Sequence, residues 1–71
     1  MAKYYYNDEK GNRIYIKKID TANCKLEFTT DENKAYDGRD GYYATPLRDK
    51  LRRLFSDDYP EVANIECDAR W

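Results

Sequence analysis

The sequence contains no histidine and only three glycines, two prolines and two cysteines among its 71 residues. The absence of histidine removes the commonest acid–base group at neutral pH and the commonest metal ligand. No nucleophile stands beside a base at a recognisable spacing, and no glycine-rich loop could cradle a phosphate. No apolar stretch is long enough to span a bilayer, and none has the features of a secretion signal. We therefore expect a cytoplasmic non-enzyme without a metal or another cofactor.

The charge is nearly balanced. Thirteen basic and fourteen acidic residues give a formal net charge of −1 and make up 38% of the chain. This balance excludes simple electrostatic coating of nucleic acid and also excludes a strongly acidic mimic of DNA. Cys24 and Cys67 lack the spacing of a zinc or redox motif. We expect two buried free thiols, with a disulfide between them as the alternative.

Tyrosine, by contrast, is abundant, with eight tyrosines against two phenylalanines and one tryptophan. A tyrosine ring gains free energy by burial, whereas its hydroxyl needs a hydrogen-bond partner. Such residues suit a half-covered sheet face or a contact surface. The composition therefore favours a small domain with exposed aromatic positions.

Three segments in the first half have the alternation and composition of strands and are bracketed by turn residues: Lys3–Asn7, Arg13–Ile19 and Cys24–Thr29. In the second segment, Ile14 and Ile16 are predicted to face inward with Lys18. Residues 31–36 are predicted to form one or two helical turns with Thr29 in capping-box spacing to Glu32.

One helix is predicted with Thr45 as its N-cap and Pro46 at its first position. It should end near Ser56, because two aspartates and Pro60 follow. Its apolar stripe is predicted to pack on the sheet and consists of Leu47, Leu51, Leu54 and Phe55.

Residues 62–71 alternate regularly and predict a half-buried final strand. Its inward residues would be Ala63, Ile65, Cys67, Ala69 and Trp71. The predicted fold is therefore a single α+β domain spanning residues 1–71. It has a four-stranded antiparallel sheet with one main helix on one face, in the order β-β-β-(short α)-α-β.

Two surfaces are candidates for binding. The first combines tyrosines near a glycine-containing loop with the basic face of the helix, and its residues are Tyr36, Tyr42, Tyr43, Arg48, Arg52 and Arg53. Some of these tyrosines could instead cover the start of the helix, and the arginines could simply be solvated. The second surface is the open sheet face, where Tyr15, Lys17 and Lys25 could stack and pair with single-stranded nucleic acid.

Three stretches resemble a pattern found in small phage and prophage proteins of Gram-positive bacteria. They are residues 15–20 (YIKKID), residues 26–31 (LEFTTD) and residues 34–36 (KAY). The resemblance implies a cytosolic accessory protein, in a group that includes inhibitors of host defence of the anti-CRISPR type. It assigns no functional residues.

The favoured hypothesis is a non-catalytic protein–protein interaction module that modulates a host protein stoichiometrically. The alternative is a single-stranded nucleic-acid-binding domain. A third hypothesis is a homodimer formed by pairing of an exposed edge strand.

Overall fold

The computed structural model describes residues 2–38 and 43–68. In chain order, the elements are β1 (Lys3–Asn7), β2 (Arg13–Asp20), β3 (Lys25–Thr29), a 3₁₀ helix (Glu32–Lys34), α1 (Ala44–Phe55), a second 3₁₀ helix (Pro60–Asn64) and β4 (Glu66–Asp68). The strands form one antiparallel sheet in the order β3-β2-β1-β4. This arrangement confirms the predicted α+β class. No helix within these ranges combines the length and the apolar character that crossing a membrane requires.

Both hairpin turns are fixed by aspartate side chains. The Asp8 carboxylate accepts hydrogen bonds from the backbone N–H groups of Lys10 and Asn12, at 2.9 and 2.8 Å. The Asp20 carboxylate accepts from the backbone and the side chain of Asn23, and these bonds lower its pKa. Short aspartate side chains mimic a backbone turn in this way, so the hairpins are set by local sequence.

A bulge in β2 changes the predicted alternation. The pairing with β3 passes from Ile16↔Phe28 to Lys18↔Glu27, which leaves Lys17 unpaired. Because an inserted residue exchanges the two faces, Ile19 packs against the core and Lys18 is exposed. The prediction that Lys18 shares the inward face was wrong, whereas Ile16 is fully buried as expected.

The connection after β3 is attached to the sheet. The N–H of Asp31 donates to Thr29 Oγ1, and the Asp31 carboxylate accepts from the N–H of Asn33. Asp31, rather than Thr29, therefore caps the first 3₁₀ helix. Further along, the N–H of Tyr36 donates to the carbonyl of Ile16 at 2.8 Å.

Two more contacts hold this connection against β1. Gly38 and Ala2 exchange two backbone hydrogen bonds, at 3.2 and 2.7 Å. The ammonium of Lys3 donates to the carbonyl of Glu32 at 2.7 Å. A Cβ at Gly38 would lie 3.0 Å from the Tyr4 ring, so this close approach to β1 favours glycine.

Helix α1 begins two residues earlier than predicted, at Ala44 with Tyr43 as its N-cap residue. Ala44 is fully buried, and its carbonyl accepts a hydrogen bond from the Tyr4 hydroxyl at 3.0 Å. The helix ends at Phe55 with Ser56 as the C-cap, as predicted. The start is therefore set by tertiary burial rather than by the Thr-Pro signal.

The buried face of α1 is narrower than the predicted stripe. Leu51 and Phe55 are each 1% exposed, whereas Leu54 is 46% exposed and Leu47 is half-buried. Adjacent residues on a helix point about 100° apart, so a narrow contact with the sheet cannot bury both Leu54 and Phe55. The prediction that Leu54 packs on the sheet was wrong.

The prediction of a long final strand over residues 62–71 was also wrong. Pro60–Asn64 forms a 3₁₀ helix, and β4 contains only three of the described residues. With three residues per turn, Val62 and Ile65 lie on one side, and both are fully buried. Ala63 is exposed, so the predicted alternation is reversed at residues 62 and 63, whereas Ile65 and Cys67 face the core as predicted. The predicted inward positions at residues 69 and 71 lie outside the described ranges.

Both cysteines are free, but only one of them is partly buried. Cys67 in β4 is half-buried and pairs with Tyr4 across the strands. Cys24 is exposed and precedes β3 in a turn, where its φ is +52°. The prediction that Cys24 is buried on the strand's apolar face was therefore wrong, because the backbone turns before the strand begins.

The buried hydroxyl of Tyr4 predicts a specific pH dependence. Burial of the phenol raises the pKa of Tyr4 from 10.0 to about 12. Stability from this group is complete below pH 10 and is lost as the pH rises towards 12, because the unfolded chain then ionises first. In Tyr4→Phe, we expect stability at neutral pH to fall by about 1 kcal/mol, with a weaker further loss between pH 10 and 12. Urea denaturation at both ends of this window measures the difference. Equal losses in Tyr4→Phe and in a Tyr36→Phe control would contradict the assignment.

Candidate protein-binding surface

A shallow groove of about 360 Å³ lies beside the first half of α1. It is lined by Tyr36, Tyr43, Pro46, Leu47 and Lys50. Tyr36 is 37% exposed and Tyr43 is 56% exposed. Two of the three predicted tyrosines therefore line one groove, and Tyr42 lies outside the described residues.

The two tyrosines are projected from anchored backbone. Tyr36 follows the buried Ala35, and its N–H bonds to the carbonyl of Ile16 in the sheet. Tyr43 precedes the buried Ala44, whose carbonyl accepts from the Tyr4 hydroxyl. Binding residues on a well-packed framework lose little freedom when a partner binds. The groove is thus positioned by the core.

The apolar surface continues along the helix beyond the groove. We call this side of the helix the α1 flank, and by helical spacing it consists of Tyr43, Pro46, Leu47, Lys50, Arg53 and Leu54. Leu47 is half-buried and also packs against the core. Leu54 is one of the few large apolar side chains that are exposed among the described residues. A helix usually turns its apolar stripe towards its own core, so a second stripe on the solvent side is typical of a contact surface.

The predicted arginines divide into two groups. Arg48 bonds to Asp49 and to Glu66, both at 3.3 Å. Arg52 bonds to the carbonyl of Ile65, and to the Glu66 carboxylate at 3.1 Å. These two side chains connect α1 to the β4 edge.

Arg53 lies on the other side of the helix. It is exposed and forms no ion pair with any carboxylate in residues 2–38 or 43–68. Asp49, which precedes Arg53 by four residues on the helix, pairs with Arg48. Of the three predicted arginines, Arg53 is thus the one on the α1 flank, whereas Arg48 and Arg52 have partners within the fold.

The three residues named by the nucleic-acid hypothesis differ in their exposure. Tyr15 is only 5% exposed, and its ring centroid lies 5.9 Å from that of Tyr5. The guanidinium of Arg13 sits 3.9 Å from the centroid of the Tyr5 ring. Lys17 and Lys25 are exposed. The Tyr15 ring, which was predicted to stack on a nucleic-acid base, is covered.

A separate depression of about 460 Å³ is acidic. Its lining residues are Tyr6, Asn7, Asp8, Glu9, Glu61 and Asn64. Burial raises the pKa of Tyr6, and the carboxylates of Glu61 and Asp8 raise it further. Negative charge here would repel phosphate groups. Within the described residues, no cluster of histidine, cysteine, aspartate or glutamate could hold a metal ion.

The β3 edge is partly covered. The N–H of Leu26 points away from β2 and donates to the hydroxyl of Tyr59 at 3.1 Å. Tyr59 also packs against Phe28 and Phe55, with ring centroids 5.7 and 6.4 Å away. An unpaired edge N–H is a point where another strand can add, so Tyr59 protects one of the two sheet edges that the homodimer hypothesis could use.

Tyr59→Phe should open this edge while keeping the ring in place. We expect a loss of about 1 kcal/mol in the free energy of unfolding, because the Leu26 N–H loses its acceptor. We also expect a larger dimer fraction than in the wild type, measured by light scattering at two protein concentrations. The control is Tyr36→Phe, which removes a hydroxyl at the groove. Unchanged stability and unchanged association in Tyr59→Phe would contradict this role.

Comparisons of the chain with protein-family models, with curated proteins and with solved structures found no match.

Proposed function

We propose that this protein is a non-catalytic interaction module that binds a partner protein through the groove and the α1 flank. The observation that carries the proposal is the apolar surface formed by the exposed Tyr36, Tyr43 and Leu54 together with the half-buried Leu47. These residues stand on backbone anchored to the core. Tyrosine is enriched in binding hot spots, because its large ring is immobilised at low entropic cost.

The shape of the surface favours a protein over a small molecule. The groove of about 360 Å³ is shallow and open, and Leu54 is exposed further along the same helix. Small-molecule sites are typically concave and enclose most of their ligand. An extended apolar strip with cationic side chains at its margin instead resembles the centre and rim of a protein interface.

The resemblance to phage and prophage accessory proteins extends the proposal to the kind of partner. The partner would be a host protein, and the effect would be stoichiometric modulation or inhibition, for example of a defence effector of the CRISPR type. The near-neutral net charge of −1 supports direct contact with a protein over mimicry of DNA.

Site-specific photocrosslinking tests the proposal. A photoreactive phenylalanine analogue replaces Leu47 in the full chain, or replaces Lys10 in a control, and each protein is irradiated in lysate of a Gram-positive host. We expect one host protein to crosslink at position 47 and not at position 10. The adduct should disappear when Tyr36→Ala and Tyr43→Ala are introduced into the chain that carries the photoreactive residue at position 47.

The proposal fails if position 47 gives no adduct. It also fails if the adduct forms equally at position 10 or persists after both tyrosines are replaced. Far-UV circular dichroism of every variant checks that the fold is retained, so that loss of crosslinking reports on the surface alone.

A further inference from the structure

The charges on the α1 flank are of one sign. Lys50 and Arg53 are both exposed, and neither forms an ion pair with a carboxylate in the part of the chain that the structure describes. Asp49 on the same helix is paired with Arg48, away from the flank. Asp57 and Asp58 follow the C-terminal end of α1. The centre of the flank is therefore apolar and cationic.

The spacing of the flank residues indicates the shape of what binds there. Tyr43, Leu47, Lys50 and Leu54 follow one another at intervals of four, three and four residues. This is the spacing along the seam between two helices packed at a shallow angle. The four positions extend over roughly 16 Å of helix axis, about three turns. Arg53 stands next to this seam, where charged residues select helical partners.

We infer that the partner protein contributes an amphipathic helix whose apolar seam is flanked by aspartate and glutamate. The inference rests on the proposed function and adds the chemistry of the partner. Apolar side chains of that helix would lie along Tyr43, Leu47 and Leu54. Its carboxylates would pair with Lys50 and Arg53.

A second copy of this chain fits the flank poorly. Pairing α1 with its own copy would bring together Lys50 and Arg53 from both protomers. Neither protomer offers a carboxylate from the centre of the flank to compensate. Like charges facing each other across a helix seam are destabilising and direct association towards a partner of opposite charge.

Selection from a displayed helix library tests the inference. The library has a fixed apolar seam and randomised flanking positions, and the bait is the full chain. We expect aspartate and glutamate to be enriched at the flanks. With Lys50→Glu and Arg53→Glu combined in the bait, we expect lysine and arginine to be enriched instead. A selected acidic peptide should bind the wild type about three- to tenfold more tightly than that variant, because two exposed ion pairs become repulsive.

The matched control combines Lys10→Glu with Lys17→Glu, which changes the net charge equally away from the flank. This control should select the same acidic helices as the wild type. The inference is overturned if the bait with Lys50→Glu and Arg53→Glu enriches the same flanking charges as the control bait. It is also overturned if no helix is enriched above the level of a selection without bait. If the library selection fails but position 47 still crosslinks to a host protein, the proposed function remains and only the helix inference is lost. If the selection and the crosslinking both fail, the binding surface itself is contradicted.

Discussion

Phe55→Ala is expected to leave the domain largely unfolded at room temperature. Phe55 is 1% exposed and packs in the core cluster with Leu51, Val62 and Ile65. Truncating a buried phenylalanine to alanine costs about 3–5 kcal/mol, because the cavity that remains closes only partly. The core of a domain this small supplies a net stability of only about 3–5 kcal/mol. Far-UV circular dichroism and urea titration measure the result.

The neighbouring residue provides a matched control. Leu54 is 46% exposed, so Leu54→Ala should change the free energy of unfolding by no more than about 0.5 kcal/mol. Phe55→Leu, which retains most of the apolar volume, should give a measurable transition at lower urea than the wild type. Comparable destabilisation by Leu54→Ala and Phe55→Ala would show that the orientation of α1 on the sheet is wrong.

Tyr43→Ala is expected to weaken binding of the crosslinked host protein about 30-fold. Its ring is 56% exposed at the groove, and a hot-spot tyrosine contributes about 2 kcal/mol to an interface. The Tyr43 side chain makes no capping hydrogen bond to α1. Isothermal titration calorimetry measures the affinity, with urea titration alongside to confirm the fold.

Two variants separate the ring from general surface effects. Tyr43→Phe keeps the aromatic area and should bind within about threefold of the wild type, because the ring supplies most of the contact. Lys10→Ala lies in the β1–β2 turn and should not change the affinity. If Tyr43→Ala binds as tightly as Lys10→Ala does, Tyr43 is not part of the interface.

The strands could be predicted because their signals are local. Alternation with period two and aspartate-centred turns located β1, β2 and β3 to within a residue or two. The bulge at Lys17 could not be predicted, because it depends on the pairing of β2 with β3. The 3₁₀ helix at Pro60–Asn64 could not be predicted either, because it too depends on tertiary contacts. Packing of Val62 with Ile65 against the core outweighed an alternating pattern that was typical of a strand.

The candidate surface was predicted in part. Tyrosines beside a loop indicated Tyr36 and Tyr43, because exposed aromatic residues near a turn are a local signal. The separation of Arg53 from Arg52 was not predictable, since it depends on Glu66, which is 14 residues from Arg52 in sequence. Leu47 was assigned to the core and, half-buried, does pack against it. Leu54 was wrongly assigned to the core, although its spacing from Tyr43 also fitted a second stripe facing solvent.

Methyl-resolved NMR of the complex is the most direct test of the claim that α1 presents a recognition surface separate from the core. The chain is labelled at isoleucine and leucine methyl groups and titrated with the crosslinked host protein. The account predicts that the signals of Leu47 and Leu54 shift or broaden on binding, while those of Ile14 and Ile19 in the sheet stay in place. Perturbation of Ile14 and Ile19 with unchanged Leu47 and Leu54 signals would contradict it.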